Sequence, residues 1–193
     1  APIDIIDQSE LDNVLTFQPK ACGTYTINLS IECSGCDGPA VCSEELIIVD
    51  DTAPEVTCPE DKTGTGCTAE EITSLGLTAL TLSVGDLTII DQALFEAEGG
   101  SATDNCGISQ YAYQDAIVSE ACPVIVERTF FVTDLCENVN STCVQTFTIN
   151  PPAPILEVPE DITISCEESR LPENTGMATA QDPCATDEVL QPT

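Results

Sequence analysis

The residues of this chain best suited to chemistry are twelve cysteines, with no histidine and no tryptophan beside them. Zinc sites normally recruit histidine or paired Cys-x-x-Cys knuckles. One such spacing occurs, Cys33-Ser34-Gly35-Cys36. It lies in a Thr/Ser/Gly-rich β pattern rather than at a helix N-terminus, so a structural disulfide outranks a redox motif there. The cysteines therefore read as a disulfide framework made in an oxidising compartment.

Carboxylates are the second chemical resource. Acidic residues number 34 and basic ones 4 (Lys20, Lys62, Arg128 and Arg170), for a net charge of −30. Nucleic acid and anionic membrane need a basic face, which makes both poor partners, and neither nucleic-acid binding nor membrane insertion is expected. Asp50, Asp51, Asp104 and Asp134 are the candidate ligands for calcium, a hard cation that takes oxygen. No Asp-x-Asp-x-Asp loop is present, and solvated surface charge is the preferred reading, with no cofactor required.

Catalysis finds little support. There is no histidine, no Gly-x-Ser-x-Gly elbow, no phosphate loop and no lysine beside a plausible base. A carboxylate pair of the glycosidase kind is guaranteed among so many acids and carries no information. The chain is not expected to be an enzyme.

The elements that must position these residues are strands. Tyr25, Ile27, Leu29 and Ile31 alternate with polar neighbours, the period of a half-buried strand. Leu46 to Val49, Leu77 to Leu82, Leu87 to Ile90, Ile108 to Asp115, Val124 to Asp134 and Val144 to Ile149 also read as strands. Residues 1–21 are acidic and loosely patterned. One short helix is expected over 91–98, where Asp91 can cap helix formers that stop at Gly99-Gly100. Short strands with polar turns and at most that one helix predict an all-β fold of antiparallel sandwich type.

An internal repeat organises the strands. Asp51-Thr52-Ala53-Pro54-Glu55-Val56-Thr57-Cys58-Pro59-Glu60-Asp61-Lys62-Thr63 returns as Pro152-Ala153-Pro154-Ile155-Leu156-Glu157-Val158-Pro159-Glu160-Asp161-Ile162-Thr163. Repeats of this kind mark tandem modules. Residues 22–50 also match 122–150, and 151–184 match 52–106 with the middle shortened. Three segments follow: 1–50 is the back of one module, 51–150 a complete module, and 151–193 the front of the next. Either the chain is a window on a longer array, or its front fragment completes the back fragment of another copy by strand complementation. The window needs fewer assumptions. No signal peptide or membrane-spanning apolar run is present, so an exported, mature segment without membrane insertion is expected.

The Thr-Cys-Pro joint, the Ala102-Thr103-Asp104-Asn105-Cys106-Gly107 turn, and Arg128-Thr129-Phe130-Phe131-Val132-Thr133-Asp134-x-Cys136-x-Asn138 with Ser141-Thr142-Cys143-x-Gln145-Thr146 resemble hyalin-repeat (HYR-like) modules. The likeness is greatest to the cysteine-rich versions in large surface proteins of Bacteroidota, including gliding-motility adhesins. It implies an immunoglobulin-like sandwich, secretion to the bacterial cell surface, and a stalk or adhesin role. Glu137 departs from the pattern, standing where such modules usually carry glycine; Val158 replaces the joint cysteine, and Asp182-Pro183-Cys184-Ala185 replaces Asp-Asn-Cys-Gly. Asp51-Thr52-Ala53 also resembles the O-glycosylation site of secreted Bacteroidota proteins, which makes Thr52 a glycosylation candidate as well as an ordinary linker residue. Asn28-Leu29-Ser30 and Asn140-Ser141-Thr142 fit the N-linked sequon, a triplet that arises often by chance.

Parity within the repeat gives a disulfide scheme. The trailing segment holds only Cys166 and Cys184, which predicts Cys166–Cys184 and, by the repeat, Cys67–Cys106. Cys58–Cys143 would then join the first and last strands, with Cys122–Cys136, Cys22–Cys36 and Cys33–Cys42 completing the set; other connectivities stay open. The reading as a whole is a structural segment of an extracellular bacterial stalk, filament or adhesin, whose partners are neighbouring modules or subunits of the same array. The alternatives are an immunoglobulin-like module that binds a surface glycan or protein, and a subunit that polymerises by strand complementation.

Overall fold

The computed structural model describes residues 3–9, 14–19, 21–31, 37–38, 40–185 and 189–190. The chain is all-β and disulfide-rich. Its strands in order are β1 (Ile3–Ser9), β2 (Val14–Pro19), β3 (Gly23–Ile31), β4 (Ala40–Ile48), β5 (Glu55–Thr57), β6 (Lys62–Thr65), β7 (Thr88–Ile90), β8 (Ser101–Thr103), β9 (Ile108–Ser119), β10 (Val124–Asp134), β11 (Val139–Asn150), β12 (Ile155–Glu157), β13 (Thr179–Gln181) and β14 (Val189–Leu190). Among the described residues two α-helices join them, α1 (Gln92–Glu98) and the single turn α2 (Pro172–Thr175).

The largest sheet has the order β6-β11-β10-β9-β7, and β3–β4, β1–β2 and β5–β8 are two-stranded antiparallel pairs. One pairing departs from the antiparallel expectation: β6 runs parallel to β11, with Phe147 opposite Lys62 and Asn150 opposite Thr65. The loosely patterned N-terminal stretch forms the β1–β2 hairpin, its register broken between Ile5 and Asp7. That irregularity is why no clean alternation is visible in the sequence.

The chain divides into two compact units. Unit 1 comprises Ala1–Glu60, Gly85–Asp115 and Arg128–Gln145; unit 2 comprises Asp61–Val84, Ala116–Glu127 and Thr146–Thr193. In unit 1 the core is aromatic. Phe95 is fully buried, with its ring centroid 5.0 Å from that of Phe130 and 5.4 Å from that of Tyr111. Helix α1 delivers Phe95. Asp91 caps it by accepting the Leu94 N–H at 2.8 Å, and Gly99 ends it with a φ of +103°. Gly100 must lack a side chain, because a Cβ there would lie 2.3 Å from the Phe95 ring.

In unit 2, Ala69, Ile72, Leu77, Val124, Val126, Phe147 and Ile149 form the core, with Leu82 and Ile117 packed against it. Leu77 to Leu82 is not the strand that its apolar run predicts. Leu77 and Leu80 are buried, but the Leu77 N–H donates to Ile72 O and the Leu80 N–H to Thr78 Oγ1, so the segment fills the core as irregular backbone. Ahead of it, a short helical turn at Ala69–Ile72 carries a capping box. Its Glu71 carboxylate accepts the Cys67 and Thr68 N–H groups, and the Cys67 contact foremost lowers its pKa. Helix α2 begins with Pro172, whose missing N–H costs nothing at a first helical position.

Candidate functional site: a sulfur and carboxylate cluster

Two turns of unit 1 are built alike. In the turn before β9, Asp104 Oδ1 accepts the N–H groups of Cys106 (2.7 Å) and Gly107 (3.0 Å). In the turn between β10 and β11, Asp134 Oδ1 accepts those of Cys136 (2.7 Å) and Asn138 (2.9 Å). An Asp followed two residues later by the N–H it captures is the local turn that this side chain favours. The turns are clasped together by the Leu135 N–H on Gly107 O at 3.0 Å and by Ser109 Oγ, which reaches Thr133 O at 3.1 Å. The end of β4 joins them: Asn138 Nδ2 donates to Asp134 Oδ2 at 2.8 Å and to Asp50 O at 3.0 Å.

This brings three of the four candidate calcium residues together. One carboxylate oxygen from each of Asp50, Asp104 and Asp134 lies within 4.8 Å of the others, and Asp134 is buried. Asp51 is exposed and stands outside the group. Asp50 Oδ1 accepts the Thr52 N–H at 3.0 Å, and that bond is the main reason its carboxyl sits below the usual range, against an opposing desolvation cost. Among the described residues its Oδ2 is buried without a hydrogen-bond partner. The three oxygens could hold a hard divalent cation, which takes six to eight oxygen ligands in all. The turn bonds also give Asp104 and Asp134 a structural task without an ion. Thr52, the glycosylation candidate, is exposed beside them.

Sulfur meets the carboxylates at the same place. Cys22 is bonded to Cys136 with a Cα–Cα distance of 5.2 Å, and the Sγ of Cys106 lies with theirs, all three within 4.8 Å of one another. Burial, and then the Asp50, Asp104 and Asp134 carboxylates, push the Cys106 thiol above its ordinary pKa.

The disulfide scheme needs correction against this arrangement. Cys58 is bonded to Cys143, with Cα atoms 5.3 Å apart. Cys67 is bonded to Cys184, not to Cys106, and Cys166 is a free thiol rather than the partner of Cys184. The reason is placement. Gly66 donates to Asn150 O at the far end of β11, so Cys67 sits past that strand's end, whereas Cys106 sits by the turn that precedes it. Cys122 and Cys136 flank opposite ends of the 11-residue strand β10, about 36 Å of extended chain. Disulfide Cα atoms lie within about 7 Å, so Cys122 is free and exposed. Cys22 goes to Cys136 instead of Cys36, and Cys42 is free instead of paired with Cys33; Cys33 and Cys36 themselves lie outside the described residues.

The sequence reading missed the buried pair Arg128–Asp115. Arg128 Nε and Nη2 donate to the two Asp115 oxygens at 2.7 and 2.9 Å, and the guanidinium lies 4.3 Å from the Tyr113 ring centroid. A signal was available. Arg128 shares the inward register of Val124, Val126, Phe130 and Val132, and an arginine in that register requires a buried partner.

Glu137 is the non-glycine residue with positive φ among those described, at 70°. Its position is the one where the resembling modules carry glycine. Glu137→Gly should therefore stabilise unit 1 by up to about 1 kcal/mol, since left-handed backbone strains a residue with a Cβ by about 1–2 kcal/mol and glycine's unfolded entropy offsets part of that. Urea denaturation checks it, and an unchanged or lower midpoint would count against strain at this turn.

No protein-family model, curated protein or solved structure matches this chain.

Proposed function

We propose that this chain is a structural segment of an extracellular array, a disulfide-braced stalk, filament or adhesin on a bacterial surface, with no catalytic role. One observation carries the reading: the sequence repeat is also a repeat of strand pairing. Glu55, Val56 and Thr57 face Thr103, Ala102 and Ser101 in β5–β8, and Ile155, Leu156 and Glu157 face Gln181, Ala180 and Thr179 in β12–β13. The shared register supports reading the trailing segment as the start of a second copy of the same unit. Neighbouring modules are the natural partners, consistent with apolar residues left exposed on β4 (Val41, Ile47) and on β12 and beyond (Leu156, Val158). Tyr111, Tyr113 and Phe130 are buried in the core, so these rings support packing rather than an aromatic ligand platform.

Crosslinks suit such a segment to tension, because a pulled chain cannot extend past a bond. Cys22–Cys136 and Cys67–Cys184 span 114 and 117 residues. With Cys58–Cys143 interlocking the other two bonds, the shortest covalent path between the ends bypasses about 146 residues, so single-molecule stretching should show a contour length about 500 Å longer in reducing buffer than in oxidising buffer, at about 3.5 Å per residue released. Equal lengths in the two buffers, or extension without a cooperative rupture, would remove the mechanical reading.

A further inference from the structure

We propose that Cys22, Cys106 and Cys136 form a three-sulfur exchange site, in which Cys106 takes Cys136 from Cys22 and so unties the leading segment from the central repeat. The three Sγ atoms lie within 4.8 Å of one another; Cys22 and Cys136 are bonded, and Cys106 is a free thiol. A thiolate beside a disulfide attacks one sulfur and displaces the other. Held side by side, the reactants need no encounter step.

The turns, not the existing bond, place Cys106 against Cys136. Asp104 fixes the backbone of Cys106, Asp134 fixes that of Cys136, and the Leu135 N–H on Gly107 O clasps the two turns. All of these contacts fall within residues 104–138 of the central repeat. Cys22 is the sulfur that arrives from elsewhere, immediately before β3. The free thiol therefore faces the disulfide through rigid, hydrogen-bonded backbone rather than through a mobile loop. All three cysteines are half-buried, which limits competition from external thiols.

The step balances without an oxidant or reductant. The Cys106 thiol loses its proton, and its sulfur bonds to Cys136 Sγ. The Cys22–Cys136 bond breaks, and Cys22 Sγ leaves with the electron pair and takes up a proton. One disulfide and one thiol are present before and after. In the first state the crosslink ties the segment before β3 to the repeat. In the second it lies inside the repeat, and the thiol has moved to the leading segment. This inference does not depend on the array reading above.

The test maps crosslinks in the full chain and in two variants. Protein held in mildly alkaline buffer is quenched in acid, its thiols are alkylated in denaturant, and non-reducing proteolysis with mass spectrometry identifies the bonds. Wild type should give both Cys22–Cys136 and Cys106–Cys136, with the alkyl group on Cys106 or on Cys22 but never on both in one molecule. The ratio should settle to one value whichever pairing a preparation starts from. Cys22→Ser, folded with oxidised glutathione as the two-electron oxidant, should bond Cys106 to Cys136, and Cys106→Ser should keep Cys22–Cys136 alone, which also shows that the fold tolerates the change. A single crosslink in wild type, whichever of the two it is, would overturn the proposal. So would a Cys22→Ser protein in which Cys106 and Cys136 both remain thiols after folding with oxidised glutathione, or preparations started from different pairings whose ratios do not converge.

Discussion

Arg128→Met should destabilise unit 1 by about 3–5 kcal/mol, because it leaves the Asp115 carboxylate buried and unpaired. Both side chains of the pair are fully buried, and Arg128 is the largest buried side chain among the described residues. Small domains have only about 5–15 kcal/mol of stability to lose. Arg128→Lys should recover little, since an ammonium cannot reproduce the two-point contact to Oδ1 and Oδ2 or stack over Tyr113 in the same way. The informative control is the double change Arg128→Met with Asp115→Leu. Replacing a buried ion pair with apolar residues is often neutral, so the double variant should be more stable than the single one. Urea denaturation followed by tyrosine fluorescence measures all three. A single variant that loses less than about 1 kcal/mol would mean that the pair is not sealed from water as the structure has it.

Phe95→Ala should cost a comparable amount, about 3–5 kcal/mol, from lost burial and the cavity left behind. Phe95 touches Tyr111 and Phe130 and has no exposed surface. The loss should spread along the chain. Helix α1 is too short to stand by itself in water, where isolated helices below about 12 residues are marginal, and Phe95 is the apolar side chain that it buries. Hydrogen exchange should therefore show the amides of Leu94 to Glu98 losing protection well beyond the global loss of stability. Protection that falls only in step with global unfolding would assign the helix another anchor.

The two variants probe features of unequal legibility. Helix α1 could be read directly: Asp91 caps it, Gly99-Gly100 stops it, and both signals are local. The strand over 124–134 was equally plain, because its inward residues alternate over a long run, whereas in 108–115 Ala112 is buried along with Tyr111 and Tyr113 on either side of it. Leu77 to Leu82 misled, since a short apolar run reads alike whether its backbone joins a sheet or merely fills a core. The pair Arg128–Asp115 was half legible. The register of β10 demanded a partner for Arg128, but Asp115 became one only when β9 and β10 lay side by side.

Asp104 and Asp134 could each be placed in a turn from sequence, because their short side chains bond their own following backbone. Their meeting with Asp50 could not. The disulfides divide in the same way. The strand between Cys122 and Cys136 is long enough to forbid their bond, and its length was countable. Cys22–Cys136 and Cys67–Cys184 join residues 114 and 117 positions apart, and no parity rule reaches them. The sequence by itself determined the β class, the repeat, the oxidising environment and the local turns, because these rest on composition, periodicity and bonds between near neighbours. The tertiary structure alone decided which sulfurs and carboxylates share one site, because distances between strands depend on sheet order and register, which residues adjacent in sequence do not encode.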